Sequence, residues 1–198
     1  MARKFVKPTK EQLALASGKV SVPDLVGPGM GILFVGINPG LYSGATGLHF
    51  AKPGNRFWPA LHGAGLTPRL LHPSEERELL MLGVGISKFV ARATATAAEL
   101  SRAEYAEGGA RIRALVRTWR PRAVCFLGMG AYEAAYGVKK VKLGRQAEAF
   151  EGAEQWVLPN PSGLNANYQL GDFVRMFGEV KGSGVRQTGN GKSRRTME

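Results

Sequence analysis

GILFVGINPGL, residues 31–41, decides the architecture. Gly31–Ile37 is a short apolar run, bounded by glycine and stopped by Asn38-Pro39-Gly40. Its length and β-branching read as a strand with both faces buried, although periodicity alone does not separate that from a short buried helix. AVCFL at 123–127 repeats the pattern, and QWVL at 155–158 supplies a third such run, closing a hairpin-like edge over 147–158. A short strand is also expected within Gly85–Val90.

Helical signals fall between these runs. Asn55 caps a helix to about His62, stopped by Gly63 and Gly65. Pro73-Ser74-Glu75 opens another, ending near Gly83. Ser101 and Glu104 form a capping box ahead of the stripe Ile112, Leu115, Val116, Trp119, which predicts a helix over 102–118 despite Gly108-Gly109. Pro121 closes it. Further helices are expected over Ala131–Tyr136 and Tyr168–Val180, whereas 84–98 beyond its short strand and the glycine-rich 38–54 read as loops. Buried strands alternating with helices define an α/β fold with a parallel sheet covered on both faces. Ligands of such sheets bind beyond the carboxyl ends of the strands, so Asn38 and Asn160, each just after a strand, are expected to face one cleft.

The 198 residues make one domain, 44% apolar, with a core that needs no staples. A single cysteine, Cys125, excludes an intramolecular disulfide and a four-cysteine metal or cluster site within one chain. No apolar run is long enough to span a membrane. MARKFVKPTKEQ lacks the apolar stretch of a signal peptide. The net charge is +12, with net +4 in residues 1–20 and again in 181–198. That distribution suggests a polyanion partner, most simply nucleic acid, with an anionic membrane surface as the weaker alternative and solubilising ends as the plainer reading. The division expected is a basic leader over 1–27, a folded domain over 28–180 and a basic disordered tail over 181–198.

Two strand-exit motifs carry the chemistry: GINPGL at 36–41 and NPSGL at 160–164. Each sets an asparagine, which offers donor and acceptor without charge, beside a stiffening proline and a glycine that lets backbone approach a ligand. Turns built from turn formers are the plainer reading of either motif alone. In the long loop, Phe50 offers a stacking face for a base, and His49 an acid, base or phosphate donor. Leu164 is an apolar wedge if its loop faces DNA, and a core residue otherwise. GxxxxGK[ST], a dinucleotide fingerprint, HExxH and G-x-S-x-G are all absent, and three scattered histidines nominate no metal site.

At these residues the chain resembles the mismatch-specific uracil/thymine DNA glycosylases, a branch of the uracil-DNA glycosylase superfamily. The matching stretches are GINPGL (36–41), PGNRFW (53–58), EGGARIRALVRTWRPRAVCFLG (107–128) and NPSGL (160–164), and the likeness spans about 28–180. The resemblance implies a three-layer α/β/α sandwich with a short central parallel sheet. It implies hydrolysis of the N-glycosidic bond of a flipped uracil in double-stranded DNA, best in G·U mismatches, with ethenocytosine and thymine as further substrates. Such an enzyme is monofunctional, uses no cofactor or metal, starts base excision repair and works as a monomer on duplex DNA. A cytoplasmic, nucleoid-associated place in a bacterium is the matching expectation.

By the same resemblance Asn38 holds the attacking water. Ile37, Gly40, His49, Phe50, Asn160 and Ser162 surround the base and sugar, while Arg92, Gly163, Leu164 and Asn165 contact DNA. Two departures stand out. Asn165-Ala166 replaces the serine and arginine that often follow the loop leucine, and Ala91 and Ala93 flank Arg92 where an acidic residue often precedes it. A catalytically weak or inactive DNA-binding protein of the same fold is therefore the alternative, and an unrelated nucleotide hydrolase or a structural protein with basic ends comes third.

Overall fold

The structure, a computed structural model, describes residues 7–184. Its sheet runs in the order β2 (Val84–Lys88), β1 (Ile32–Gly36), β3 (Ala123–Leu127), β5 (Glu154–Leu158), β4 (Gly144–Arg145). The first four are mutually parallel, with Phe34 level with Ile86 on one side and Cys125 on the other. Only β4 is antiparallel to its neighbour.

Every residue of β1, β2 and β3 is buried, which is why β1 and β3 read as unbroken apolar runs, whereas β2 buries Ser87 and Lys88 at its carboxyl end. The strand period of two survives beneath that uniformity. Ile32, Phe34, Cys125 and Leu158 face a layer built from α3 (Phe57–Gly63), α4 (Glu78–Met81) and α7 (Leu170–Gly184). Leu33, Val35, Phe126 and Val157 face α5 (Arg102–Trp119) and α6 (Met129–Tyr136) on the other side. The result is a three-layer α/β/α sandwich.

Gly108 and Gly109 sit inside α5 because side chains do not fit there. A Cβ on Gly108 would stand 2.2 Å from the Phe89 carbonyl oxygen, and one on Gly109 2.9 Å from that of Ala135. The pair lets α5 press against the end of β2 and against α6. Arg120, in the left-handed region, ends the helix just before Pro121.

Four expectations need revision. The loop over 38–54 contains a short helix, α2 (Leu41–Thr46), closed by Gly47 at φ 70°. Its Gly44 is tightly enclosed, since an added Cβ would lie 2.6 Å from the Ala93 Cβ. The helix expected from Pro73 to Gly83 splits into a 3-10 turn, Pro73–Glu75, and the single turn of α4. It breaks where Glu76 turns its carboxylate inward onto His49. The edge hairpin turns at Glu151-Gly152, both with positive φ, and its outer strand lies at 144–145, earlier than 147–158 suggests.

Finally, residues 7–27 pack onto the domain. Thr9 and Gln12 form a capping box on α1 (Lys10–Leu15), and Val22 and Leu25 are buried. Leu25 exchanges both backbone hydrogen bonds with Ile86, so the leader covers the open edge of β2 as β4 covers that of β5. At the other end α7 continues to Gly184, and the rest of the expected tail lies outside the described residues.

Candidate active site

Asn38 follows β1 at the carboxyl edge of the sheet. Its amide nitrogen donates to Thr94 Oγ1 at 2.7 Å, to the Arg92 carbonyl at 3.1 Å and to that of Pro39 at 3.2 Å. Thr94 spends its own hydroxyl hydrogen on the Thr96 carbonyl, 2.8 Å away, so its oxygen can only accept from Asn38. The chain of bonds fixes the flip of the amide. With its NH2 group committed to the 92–96 segment, the carbonyl oxygen of Asn38 is the group left for a ligand.

That amide borders a small, partly open cavity between the ends of β1 and β2. Gly36, Ser43, His49, Phe50 and Lys88 share the lining. Phe50 adopts φ 49°, an uncommon conformation for an aromatic residue. This backbone turn stacks its ring on Phe57, with centroids 4.0 Å apart, and lays the ring edge over Gly36, where a Cβ would come within 3.3 Å. Phe57 thus supports a flat aromatic wall whose other face is offered to the cavity.

His49 is almost fully buried. Its backbone N–H and ring Nδ1 both meet Glu76 Oε2 at 2.9 Å, which places the ring hydrogen on Nδ1. Nε2 is buried at the cavity wall with no hydrogen-bond partner among the described residues. Lys88, 5% exposed, lies 2.8 Å from Asp24 Oδ1. Burial alone would raise the Asp24 carboxyl, but Lys88, Arg111 and the Ser87 hydroxyl together hold it below the usual carboxylate range.

The second motif forms a self-bonded loop. Asn160 Oδ1 accepts from the Ser162 N–H at 3.0 Å, the Asn165 amide donates to the Asn160 carbonyl at 3.0 Å, and Ser162 Oγ accepts from the Leu164 N–H. Arg56 anchors it, with its backbone N–H on the Pro161 carbonyl and its guanidinium on those of Ser162 and Asn165. Gly163 meets the 54 peptide so closely that a Cβ would stand 2.7 Å from the Gly54 oxygen. PGNRFW and NPSGL are therefore one mechanical unit, and it holds Leu164 out with 80% of its surface exposed.

The expectation of one shared cleft resolves into two neighbouring ones. β3 separates β1 from β5, placing the exits of those two strands about 10 Å apart. Ile37, Asn160 and Asn165 line an open groove of about 830 Å³ with Gly128, Met129 and Tyr168, while Asn38, His49 and Phe50 line the cavity on the β2 side. Gly40 borders neither cavity and serves as the N-cap of α2. Ser162 lies in the loop bolted to Arg56.

Arg92, half-exposed, is engaged by the fold: its guanidinium holds both Glu104 oxygens and the Glu99 carbonyl. Ala93 is fully buried against Gly44, so a small residue fits there and a carboxylate does not. Ala91 is only half-buried. Sequence reading misses Asp24, Glu76, Lys88 and Thr94. A lysine inside the largely apolar GISKFV run is the one available signal.

A largely parallel sheet between two helical layers, with its candidate site beyond the carboxyl ends of the strands, places the chain among the doubly wound α/β proteins. The family comparison is specific: the model of the Uracil DNA glycosylase superfamily matches residues 23–180, and the chain belongs to that superfamily. Membership points to a DNA glycosylase, a hydrolase that acts on DNA. The matched span begins at 23 and so takes in Asp24 and Leu25, residues that pack onto β2.

Proposed function

We propose that this protein is a monofunctional, mismatch-directed uracil-DNA glycosylase that acts as a monomer on double-stranded DNA. The observation that carries the reading is the Asn38 amide, locked through Thr94 with its oxygen free at the mouth of a cavity walled by Phe50. A uracil mispaired with guanine needs less energy to leave the stack than a paired base, so selection begins before the pocket is reached. Leu164, held out on its rigid loop, has the exposure and chemistry of a wedge that fills the vacated space. The flipped ring stacks on Phe50.

Asn38 is no strong base, and its oxygen orients a water toward C1′. The C1′–N1 bond breaks with its electron pair on the pyrimidine. The water oxygen bonds to C1′, and the proton it releases goes to the departing base or to solvent. Placement and fixed dipoles supply the acceleration. Ethenocytosine, and thymine opposite guanine, are the related substrates.

Duplexes carrying G·U, A·U, G·T or G·ethenocytosine, together with single-stranded uracil DNA, test this when abasic sites are cleaved with alkali. The expected order places G·U first. Asn38→Ala should lower the single-turnover rate about a hundredfold or more while leaving duplex affinity within about twofold. Borohydride should trap no covalent adduct. No strand break in any substrate at stoichiometric protein, with duplex binding intact, would instead support the non-catalytic DNA-binding reading.

A further inference from the structure

Lys88, buried and charged, is one of the residues that line the cavity beside Asn38. An apolar side chain would close the end of β2 without the desolvation that a charge incurs. The structure instead surrounds Lys88 with a built network. Asp24 Oδ1 accepts from Lys88 Nζ at 2.8 Å and from Ser87 Oγ at 2.9 Å, while Asp24 Oδ2 pairs with Arg111. Arg111 also donates to the Lys88 carbonyl, joining the leader, β2 and α5. The backbone bridge between Leu25 and Ile86 sets the position of Asp24. His49 shares the cavity lining with Lys88, and Glu76, bonded to His49, also acts on the ammonium.

We propose that Asp24 is a positioning residue of the base pocket: it holds the Lys88 ammonium charged and fixed, so that the pyrimidine leaves as an anion against a stationary positive charge. The inference rests on the glycosylase reading above. Asp24 serves both Lys88 and Arg111, while the Glu76 carboxylate also acts on Lys88, so the charges of the network roughly balance and what Asp24 adds is a fixed position for the ammonium. Burial lowers Lys88 below the ordinary lysine range, and Asp24 opposes that fall. Without the carboxylate, a buried lysine beside Arg111 sheds its proton more readily.

The test compares wild type, Asp24→Asn, Lys88→Met, the double variant and Arg111→Gln, each checked for cooperative unfolding. Single-turnover excision of uracil from G·U duplex is followed across pH. In Asp24→Asn the alkaline limb should move about one unit toward acid, with a loss of about tenfold at the old plateau edge and duplex affinity unchanged. Arg111→Gln should move the limb the other way. In the Lys88→Met background, Asp24→Asn should cost no more than about twofold, since its effect passes through the lysine. Equal losses with and without Lys88, or an unmoved limb, would overturn the proposal and leave Asp24 as a strap for the leader.

If the wild type releases no base at all, the glycosylase reading fails on its own terms. The hold of Asp24 on Lys88 is still read by NMR titration of lysine-labelled protein. An unchanged Lys88 titration in Asp24→Asn overturns the proposal there too.

Discussion

Thr94 gives the Asn38 amide its shortest hydrogen bond and, with the Arg92 and Pro39 carbonyls, fixes which way it faces, because the Thr94 hydroxyl has one hydrogen and spends it on Thr96. Thr94→Val removes both bonds. The amide then keeps only its longer bonds to the Arg92 and Pro39 carbonyls, and its oxygen is held less firmly on the water. The loss of a hydrogen bond of this kind, about 1–1.5 kcal/mol, lowers single-turnover excision of G·U about tenfold, and Thr94→Ser restores most of it. An equal loss in the serine variant would show that the methyl packing matters rather than the hydroxyl. This residue was not legible in the sequence. Asn38 and Phe50 stood out because each sits in a short motif whose chemistry is local. Thr94, Glu76 and Asp24 act across 56, 27 and 64 positions of chain, where spacing carries no signal. Asn160 shows the reverse: the motif drew attention to its side chain, which is occupied in forming its own turn.

At the scale of elements, α5 links fold to site. Its first turn holds Arg92 through Glu104, and its glycines admit the end of β2. Gly108→Ala would raise helix propensity by about 1 kcal/mol, yet its Cβ would stand 2.2 Å from the Phe89 backbone oxygen. Backbone cannot yield as a side-chain tip can, so overpacking prevails. The expected outcome in urea unfolding is a net loss of about 1–3 kcal/mol.

The same helix start carries a pH dependence. The hydrogen bond from Arg92, with help from the Ser101 backbone N–H, lowers the Glu104 carboxyl from its ordinary value of 4.5 to about 2. A depressed folded value stabilises the protein above pH 4.5, and the contribution fades as pH falls toward 2. Glu104→Gln should therefore melt below wild type near neutrality, with the gap narrowing through that window. A constant gap would assign the effect to packing. The capping box and the apolar stripe made this helix legible, as two-faced burial did for β1 and β3. The break before α4 was not, because it follows from a tertiary bond between Glu76 and His49.

At the scale of the whole molecule, charge and its accessibility part company. The chain carries +12, but many arginines of the described body are already engaged: Arg69 with Glu75 and Glu78, Arg92 with Glu104, Arg113 and Arg117 with Glu151, and Arg175 with Glu179. The exposed cations include Lys52, Lys139, Lys140 and Lys142. The sequence of residues 185–198 holds Arg186, Lys192, Arg194 and Arg195 against a single Glu198. Binding that releases counterions weakens linearly on logarithmic axes, by about 0.9 per phosphate neutralised.

Removing 185–198 should thus flatten the salt dependence of duplex affinity by about one to three in that slope. The excision rate at saturating protein should stay the same, because Asn38, Phe50 and Lys88 lie in the described body. Fluorescence anisotropy between low and moderate salt measures the slope, and single-turnover kinetics measure the rate. An unchanged slope would place the phosphate contacts on the folded body, and a reduced rate would tie the final segment to the chemistry as well as to affinity.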